Sequence, residues 1–229
     1  MRVIKLVYSN SKVGRFHREN GLLNQDSIKC LQTEDLVLGV LADGVSAAQN
    51  GGEGAAITTE TVAKFLLNNG KKLFCLSEEH LKTAVLNEVL SALKEKAVGD
   101  DVEQFASTLV FSLFQKSQNR LMLFTLGDSK IYLLSSDGCK PFAENLLKEL
   151  KFTTSKDAFK SAELKIVSAE DIKGVMLCSD GAWRTMYSNG VMLPSLFTAG
   201  KTFELDAFKE HFEKQDCYDD MSVIMFCDA

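Results

Sequence analysis

Two strands with no polar face set the strongest limit on how this chain folds. Residues 121–126 and 175–178 carry apolar side chains on both faces, and the short connections around the first favour antiparallel pairing. An antiparallel strand that is apolar on both sides must have both faces covered. Residues 55–68 and 78–97 are predicted amphipathic helices, which also need an apolar surface. Two sheets packed face to face, with helices outside, meet both demands.

Turn and cap residues place the remaining elements. Ser77 is a suitable N-cap for the second helix, and Asn69-Gly70 is expected to end the first. Residues 107–135 read as a meander of three antiparallel strands, with Asp137-Gly138 as a tight turn after it. Further predicted elements are strands at 1–10, 28–32, 36–42 and 221–226, and helices near 143–151 and 203–214.

Composition narrows the class of protein. With 229 residues, 45% of them hydrophobic, the chain is expected to be a single domain spanning residues 1–229. A net charge of −5 without a Lys/Arg block argues against a nucleic-acid partner. No apolar run reaches the ~20 residues of a membrane span, and the N-terminus does not resemble a signal peptide. Six scattered cysteines without a C-x-x-C pair favour a reducing cytoplasm and no zinc site.

Aspartates stand at the ends of four predicted core strands. Asp43 and Asp180 each follow an unbroken apolar run and precede glycine, whereas Asp26 and the pair Asp219-Asp220 come just before a strand. Clustered carboxylates repel one another, and no Lys or Arg lies beside Asp43 to compensate. A hard divalent cation such as Mg²⁺ or Mn²⁺ would compensate, because it prefers oxygen ligands. A strand-end Asp-Gly is also a common turn, so spacing alone leaves both readings open.

The order of these motifs resembles the type-2C (PPM) metal-dependent Ser/Thr protein phosphatases along nearly the whole chain. The matching stretches are NQDS at 24–27, VLADGVS at 40–46, ASTLV at 106–110, GDSKIYLL at 127–134, LCSDGAW at 177–183 and DDMSVIMF at 219–226. Each motif is weak alone, whereas six in the same order are specific. The resemblance implies an α+β fold, a four-layer αββα sandwich of two mainly antiparallel sheets, which agrees with the arrangement argued from the strands.

The resemblance assigns roles to five positions. Asp43 would bridge two divalent metals, Mn²⁺ or Mg²⁺, and the Gly44 carbonyl would contact the first metal. Asp180 and Asp219 would bind the second metal, and Asp26 would orient metal-bound water. A hydroxide bridging the two metals would then attack the phosphorus of phosphoserine or phosphothreonine.

The opening motif departs from the common family pattern. Gly21 stands where many members carry a phosphate-binding arginine, and Gln25 replaces a common Glu. The stretch GRFHRENGLLNQD at 14–26 is instead similar to a bacterial branch with Gly-x-x-His before Gln-Asp. His17 would then face the site and hold phosphate or donate a proton to the leaving oxygen. A surface loop histidine is the alternative.

Other residues near the motifs can also be interpreted in two ways. Asp220 stands where many members have Asn and is interpreted as adjacent support. Asp128 matches a position linked in some members to a third metal, but Arg184 replaces an acidic residue tied to that ion, which argues against it here. Arg15 and Arg18 are either phosphate partners or exposed loop residues.

These features predict a cytoplasmic hydrolase, a metal-dependent protein Ser/Thr phosphatase that acts on a phosphorylated protein without a covalent phosphoenzyme. The family also suggests a partner Ser/Thr kinase. Gln25 and the missing arginine motivate an alternative, an inactive or weakly active phosphatase-like binding or sensing module. The retained Asp43, Asp180 and Asp219 argue against that alternative. A third reading is a small-molecule phosphatase.

Overall fold

The computed structural model describes residues 4–97, 99, 101–136, 138–143, 150–197 and 202–228. The strands in these ranges are β1 (Ile4–Lys12), β2 (Asp26–Gln32), β3 (Leu36–Asp43), β4 (Leu109–Gln115), β5 (Arg120–Leu126), β6 (Lys130–Ser135), β7 (Gly138–Pro141), β8 (Glu163–Ser168), β9 (Gly174–Cys178), β10 (Tyr187–Ser188), β11 (Val191–Met192) and β12 (Met221–Asp228). The helices are α1 (Arg15–Glu19), α2 (Gly51–Leu73), α3 (Glu78–Lys96), α4 (Ala158–Ser161), α5 (Asp180–Thr185) and α6 (Leu205–Lys214). No helix in these ranges has both the length and the apolar character that crossing a membrane requires.

Most predicted elements are present within a few residues of their expected bounds. The strands expected at 28–32, 36–42 and 221–226 correspond to β2, β3 and β12, and the helices at 78–97 and 203–214 to α3 and α6. Ser77 caps α3 as predicted, because its hydroxyl accepts a hydrogen bond from His80 N. The helix expected near 143–151 falls mostly outside the described residues, as does Asp137 of the expected tight turn.

Two five-stranded sheets form the centre of the molecule. The first has the order β2-β3-β4-β5-β8 and the second the order β1-β12-β9-β6-β7, with antiparallel neighbours throughout. One apolar cluster, including Leu41, Leu177 and Ile224, lies between the sheets. A second cluster packs α2 and α3 on the first sheet, and a third packs α5 and α6 on the second sheet. The predicted four-layer αββα sandwich is confirmed.

The strands with two apolar faces are covered on both sides as expected. In β5, Leu123 belongs to the cluster between the sheets, whereas Met122 and Phe124 face the helices. The Phe124 ring stacks on Phe111 of β4 at a centroid distance of 5.0 Å. Burial on both faces therefore fixes β4 and β5 in the middle of the first sheet.

The predicted bounds of the first long helix, α2, are wrong at both ends. The helix begins at Gly51, because Gly51 and Gly54 allow its first turn to approach neighbouring backbone that a Cβ would strike, including Phe105. It continues through Asn69-Gly70, where a stop was expected. A Cβ on Gly70 would strike the Leu36 side chain, so this glycine permits close packing of the helix on β3.

The predicted meander over 107–135 is wrong for its third strand. β4 and β5 pair as expected, but β6 pairs with β9 in the second sheet. The three residues 127–129 cross from one sheet to the other, helped by Gly127 at φ +97°, which favours glycine. β8 takes the place beside β5 that the meander assigned to β6. The crossing places Asp128 between the two sheets.

Candidate metal and phosphate site

Strand pairing brings Asp26 and Asp43 side by side at one end of the first sheet. The two residues lie opposite each other in the β2–β3 register. In the next pair, Gly44 N donates a hydrogen bond to Gln25 O at 3.1 Å, so Asp26 and Asp43 form a non-hydrogen-bonded pair. Such pairs bring the Cα atoms to about 4.5 Å and place both side chains on one face.

The second sheet supplies two more carboxylates to the same place. Asp180 is the first residue of α5, two residues after the end of β9, and Asp219 comes two residues before β12. Both line an open cleft of about 140 Å³ together with Asp43, Gly44 and Asp128. The four predicted metal-site residues, Asp43, Gly44, Asp180 and Asp219, thus share one cleft.

Thr108 fixes the end of β3 at this cleft. Its Oγ1 accepts a hydrogen bond from Asp43 N at 2.9 Å, and its own N donates to Asp43 O at 2.8 Å. The same hydroxyl lies 2.8 Å from Ser129 Oγ, on the crossing between the sheets. The Asp43 backbone is therefore held by Thr108, which Ser129 contacts from the crossing, while the Asp43 carboxylate faces the cleft.

At the Asp-Gly pairs 43–44 and 180–181, the backbone of another segment approaches the glycine closely. A Cβ on Gly44 would strike the Gly51 backbone at the start of α2, and a Cβ on Gly181 would strike the Asp220 carbonyl oxygen. Both contacts are with backbone, which cannot swing away as a side chain could. The glycines let the chain pack tightly around the carboxylates, which differs from the turn that Asp-Gly most often forms.

Burial and mutual repulsion make the carboxylates difficult to ionise together. Burial, then Asp26, Asp180 and other neighbouring carboxylates raise the pKa of Asp43 to about 10. Burial is also the main cause that raises the pKa of Asp26 to about 7. Burial, Asp128 and Asp219 raise the pKa of Asp180 to about 6, against the opposing effect of Arg184. A site with this much uncompensated negative charge favours a cation.

The donor set fits a hard divalent cation. Three buried carboxylate oxygens, Asp26 Oδ1 and Oδ2 and Asp180 Oδ1, have no hydrogen-bond partner. Carboxylate and carbonyl oxygens are the ligands that Mg²⁺ and Mn²⁺ prefer. Across the described ranges, no three His, Cys, Asp or Glu side chains are already spaced to hold an ion. Cation binding would therefore need side-chain rotation to draw the carboxylates together.

His17 and Asp220 form a buried pair beside the cleft. His17 Nδ1 lies 2.8 Å from Asp220 Oδ2, and both side chains are almost fully buried. Asp220 also accepts hydrogen bonds from Gly14 N and Gln25 N, each at 2.6 Å. His17 is neither a surface loop residue nor one of the residues that line the cleft. Asp220, interpreted from sequence only as support, ties the 14–25 segment to the start of β12.

Arg184 lies between two carboxylates of the cleft. Its Nη1 is 2.7 Å from Asp180 Oδ2, and its Nη2 is 3.9 Å from Asp128 Oδ2. Asp180 keeps Oδ1 without a hydrogen-bond partner, so Arg184 occupies only one of its two oxygens. Arg184 thus places a positive charge beside both Asp128 and Asp180, and the absence of a third cation there stays a prediction.

Four other residues of the opening motif, two of them possible phosphate partners, lie outside the cleft. Arg15 and Arg18 are half exposed and face Asp216, with Arg18 Nη2 at 2.7 Å from its Oδ1. Gly21 is exposed, with φ +67° and no atom near the position of a Cβ. Gln25 has a buried Oε1 without a hydrogen-bond partner. None of these four residues lines the acidic cleft.

The family profile of protein phosphatase 2C matches residues 13–214, so the chain belongs to this family of phosphoprotein phosphatases. Comparison with curated protein sequences finds no match.

Solved structures of bacterial phosphatases have the same fold. The serine/threonine phosphatase Stp1 from Staphylococcus aureus is 16% identical, with a TM-score of 0.70 over 99% of this chain and 95% of that one. RsbX, crystallised in complex with magnesium, is 12% identical with a TM-score of 0.62 over all of both chains. The PP2C phosphatase domain of SpoIIE from Bacillus subtilis is 16% identical, with a TM-score of 0.63 over 99% of this chain and 62% of that one.

Proposed function

We propose that this chain removes phosphate from phosphoserine or phosphothreonine in a protein substrate, using two divalent cations, Mn²⁺ or Mg²⁺. The observation that carries the proposal is the convergence of Asp43, Asp180 and Asp219 from both sheets on the cleft beside Gly44. The raised pKa of Asp43 supports it, because such a group gains most from a neighbouring positive charge. A pure scaffold has no need for this repulsion.

Each residue of the cleft has a proposed role. Asp43 would hold both cations, the Gly44 carbonyl would add a ligand to one of them, and Asp180 and Asp219 would hold the other. When bound, the cations would supply positive charge for a phosphate dianion and activate water, so that a bond from water oxygen to phosphorus forms as the bond to the Ser or Thr oxygen breaks and that oxygen takes a proton from solvent. Asp26 pairs with Asp43 but is not among the residues that line the cleft, and its proposed role is to orient metal-bound water from this position beside Asp43. Its two oxygens without protein partners support that role.

His17 acts through Asp220 and does not touch the phosphate in this proposal. The buried pair holds the 14–25 segment against β12, and this segment leads directly into Asp26. Loosening it would displace Asp26 relative to Asp43. His17 is therefore a positioning residue, a revision of the role in phosphate binding or proton donation that its motif suggested.

The chemistry of a phosphomonoester, the free thiols and the open cleft support the proposed substrate and compartment. A phosphomonoester on a protein must be supplied by a kinase, so a Ser/Thr kinase is the expected opposing enzyme. All six cysteines are free thiols, which supports a reducing compartment such as the cytoplasm. An open cleft suits a phosphate presented from a protein surface better than a small molecule that needs enclosure.

Phosphate release from a phosphothreonine peptide, with and without Mn²⁺, tests the proposal. Wild type should turn over only with the metal, and Asp43→Asn should lose at least about 100-fold in kcat, as expected when a main electrostatic contributor is removed. Asp206→Asn is a matched control, because Asp206 is almost fully exposed on α6. Metal binding without turnover in wild type would favour the binding-module alternative, and faster turnover of small phosphate esters would favour the small-molecule alternative.

A further inference from the structure

A second cavity adjoins the acidic cleft and shares one residue with it. This cavity, of about 210 Å³, has Asp128 on its boundary with the cleft and Ile131, Phe142 and Leu150 among its apolar lining. It is smaller than the roughly 300–1,000 Å³ of sites that enclose a drug-sized ligand. A single amino-acid side chain, entering from a peptide whose phosphorylated residue lies in the cleft, suits this size and position.

Lys130 gives the cavity a positive charge. Its Nζ lies 3.5 Å from the centroid of the Trp183 ring, a cation–π contact that fixes the ammonium in place. Trp183 is held in turn, because its Nε1 donates a hydrogen bond to Asp128 O at 2.9 Å. The aromatic face and the amine are therefore a pre-arranged pair at the base of the cavity.

The Lys130 ammonium has no carboxylate partner in the described part of the chain. Asp128, which also acts on Lys130, lies with its Oδ2 3.9 Å from Arg184 Nη2. Partial burial, together with Arg184, lowers the pKa of Lys130 against the opposing effect of Asp128. A half-buried ammonium that forms no ion pair with a described residue, in a cavity next to the acidic cleft, can bind an anion.

We propose that the cavity at Lys130 and Trp183 binds an acidic side chain, Asp or Glu, close to the phosphorylated residue of the substrate. Its carboxylate accepts a hydrogen bond from Lys130, and its aliphatic stem packs on the apolar walls. This inference rests on the proposed phosphatase function and adds a sequence preference to it. Lys151 also lines the cavity.

A set of phosphothreonine peptides, with Glu or its neutral isostere Gln at each position from −3 to +3, tests the preference. At one position the wild type should prefer Glu by about 5–20-fold in kcat/KM, the range of a charge-assisted hydrogen bond that is partly exposed. Lys130→Met keeps the packing on Trp183 but removes the charge, and should reduce this ratio to below 2-fold. Lys130→Arg should keep it.

The control substitution is Lys94→Met, which removes the same charge from the exposed surface of α3 and should leave the ratio unchanged. A second readout does not need turnover. Trp183 is the only tryptophan of the chain, so titration with the dephosphorylated Glu and Gln peptides should change its fluorescence, with tighter half-saturation for Glu. Lys130→Met should remove that difference.

Each outcome of these experiments decides a separate point. Turnover of the peptides without a Glu preference, or with a preference for an apolar residue, would overturn the acidic-side-chain inference and leave the phosphatase function intact. A preference that survives Lys130→Met would also overturn it. Absence of turnover on every peptide would refute the proposed function, and the fluorescence titration would still decide whether the cavity binds Glu.

Discussion

Replacing Asp43 with Asn should stabilise the metal-free protein and abolish its stabilisation by metal. The aspartate is placed beside Asp26 by strand pairing and faces Asp180 and Asp219 from the other sheet. A neutral amide of the same shape avoids both this repulsion and the proton uptake that would otherwise be needed to relieve it. It also removes the negative charge that a cation needs, so one substitution should move stability in opposite directions with and without metal.

The size of the effect follows from the pKa. Asp43 has a pKa of about 10 in the fold against 3.8 ordinarily, so at pH 7 the folded chain keeps a proton that the unfolded chain loses. The ordinary pKa lies about three units below pH 7, and each unit corresponds to about 1.4 kcal/mol. The destabilisation of the folded state by Asp43 at pH 7 therefore has a ceiling of about 4 kcal/mol. Because a buried amide keeps part of the desolvation cost, we expect a gain of about 1–3 kcal/mol. This corresponds to an increase in Tm of about 2–10 °C for a domain of this size.

The pH dependence has a definite sign. Since the native state binds more protons than the unfolded state between the two pKa values of Asp43, stability falls as pH rises from about 4 to about 10. Well inside that window the slope from this group is about −1.4 kcal/mol per pH unit. Asp43→Asn should remove that contribution and flatten the profile of the metal-free protein.

Thermal unfolding of wild type, Asp43→Asn and the surface control Asp206→Asn, each in chelator and in excess Mn²⁺, measures both effects. Wild type should gain about 2.7 kcal/mol at a free metal concentration 100 times Kd, and Asp43→Asn should gain none. The reasoning fails if Asp43→Asn is less stable than wild type in chelator. It also fails if Mn²⁺ stabilises that variant as much as it stabilises wild type.

Three further predictions concern protons, the buried pair and backbone packing. Metal binding must displace the proton on Asp43, so the apparent Kd for Mn²⁺ should fall as pH rises, by up to about tenfold per pH unit between pH 6 and 8. Calorimetry measures this Kd, and a pH-independent value would contradict the prediction. Asp220→Asn weakens the buried hydrogen bonds to the 14–25 segment and should lower the free energy of unfolding by about 1–3 kcal/mol in urea, more than the exposed Asp216→Asn does; equal effects would remove its positioning role. Gly54→Ala places a Cβ against the Phe105 carbonyl and should cost about 1–3 kcal/mol in the same assay, whereas a neutral result would mean that α2 can shift.

The layers and the four strand-end aspartates could be predicted from sequence because both are local signals. An apolar run without a polar face, such as 175–178, reports burial on both sides wherever the strand finally lies. Asp43 and Asp180 follow such runs directly, so their places at strand ends are fixed by position in the chain. The order of the motifs then agreed with the packing of two sheets that the apolar strands and the amphipathic helices had already favoured.

The wrong predictions, and the contacts that were not predicted, all involve residues far apart in the sequence. Gly70 resembles a helix stop, but its role is to admit the Leu36 side chain of another element. Asp220 and His17 are 203 positions apart, so the sequence around either residue does not predict their contact. The crossing of β6 to the second sheet likewise depends on β8, far along the chain, taking the place beside β5, and the short connection at 127–129 fits both arrangements.

The central claim is that aspartates from two sheets jointly hold a pair of divalent ions, and a crystal structure grown with Mn²⁺ tests it most directly. Anomalous difference density should show two manganese ions within coordination distance of Asp43, with Asp180 and Asp219 on one of them. Density for manganese only at surface carboxylates, with Asp43 and Asp180 still apart, would contradict the account.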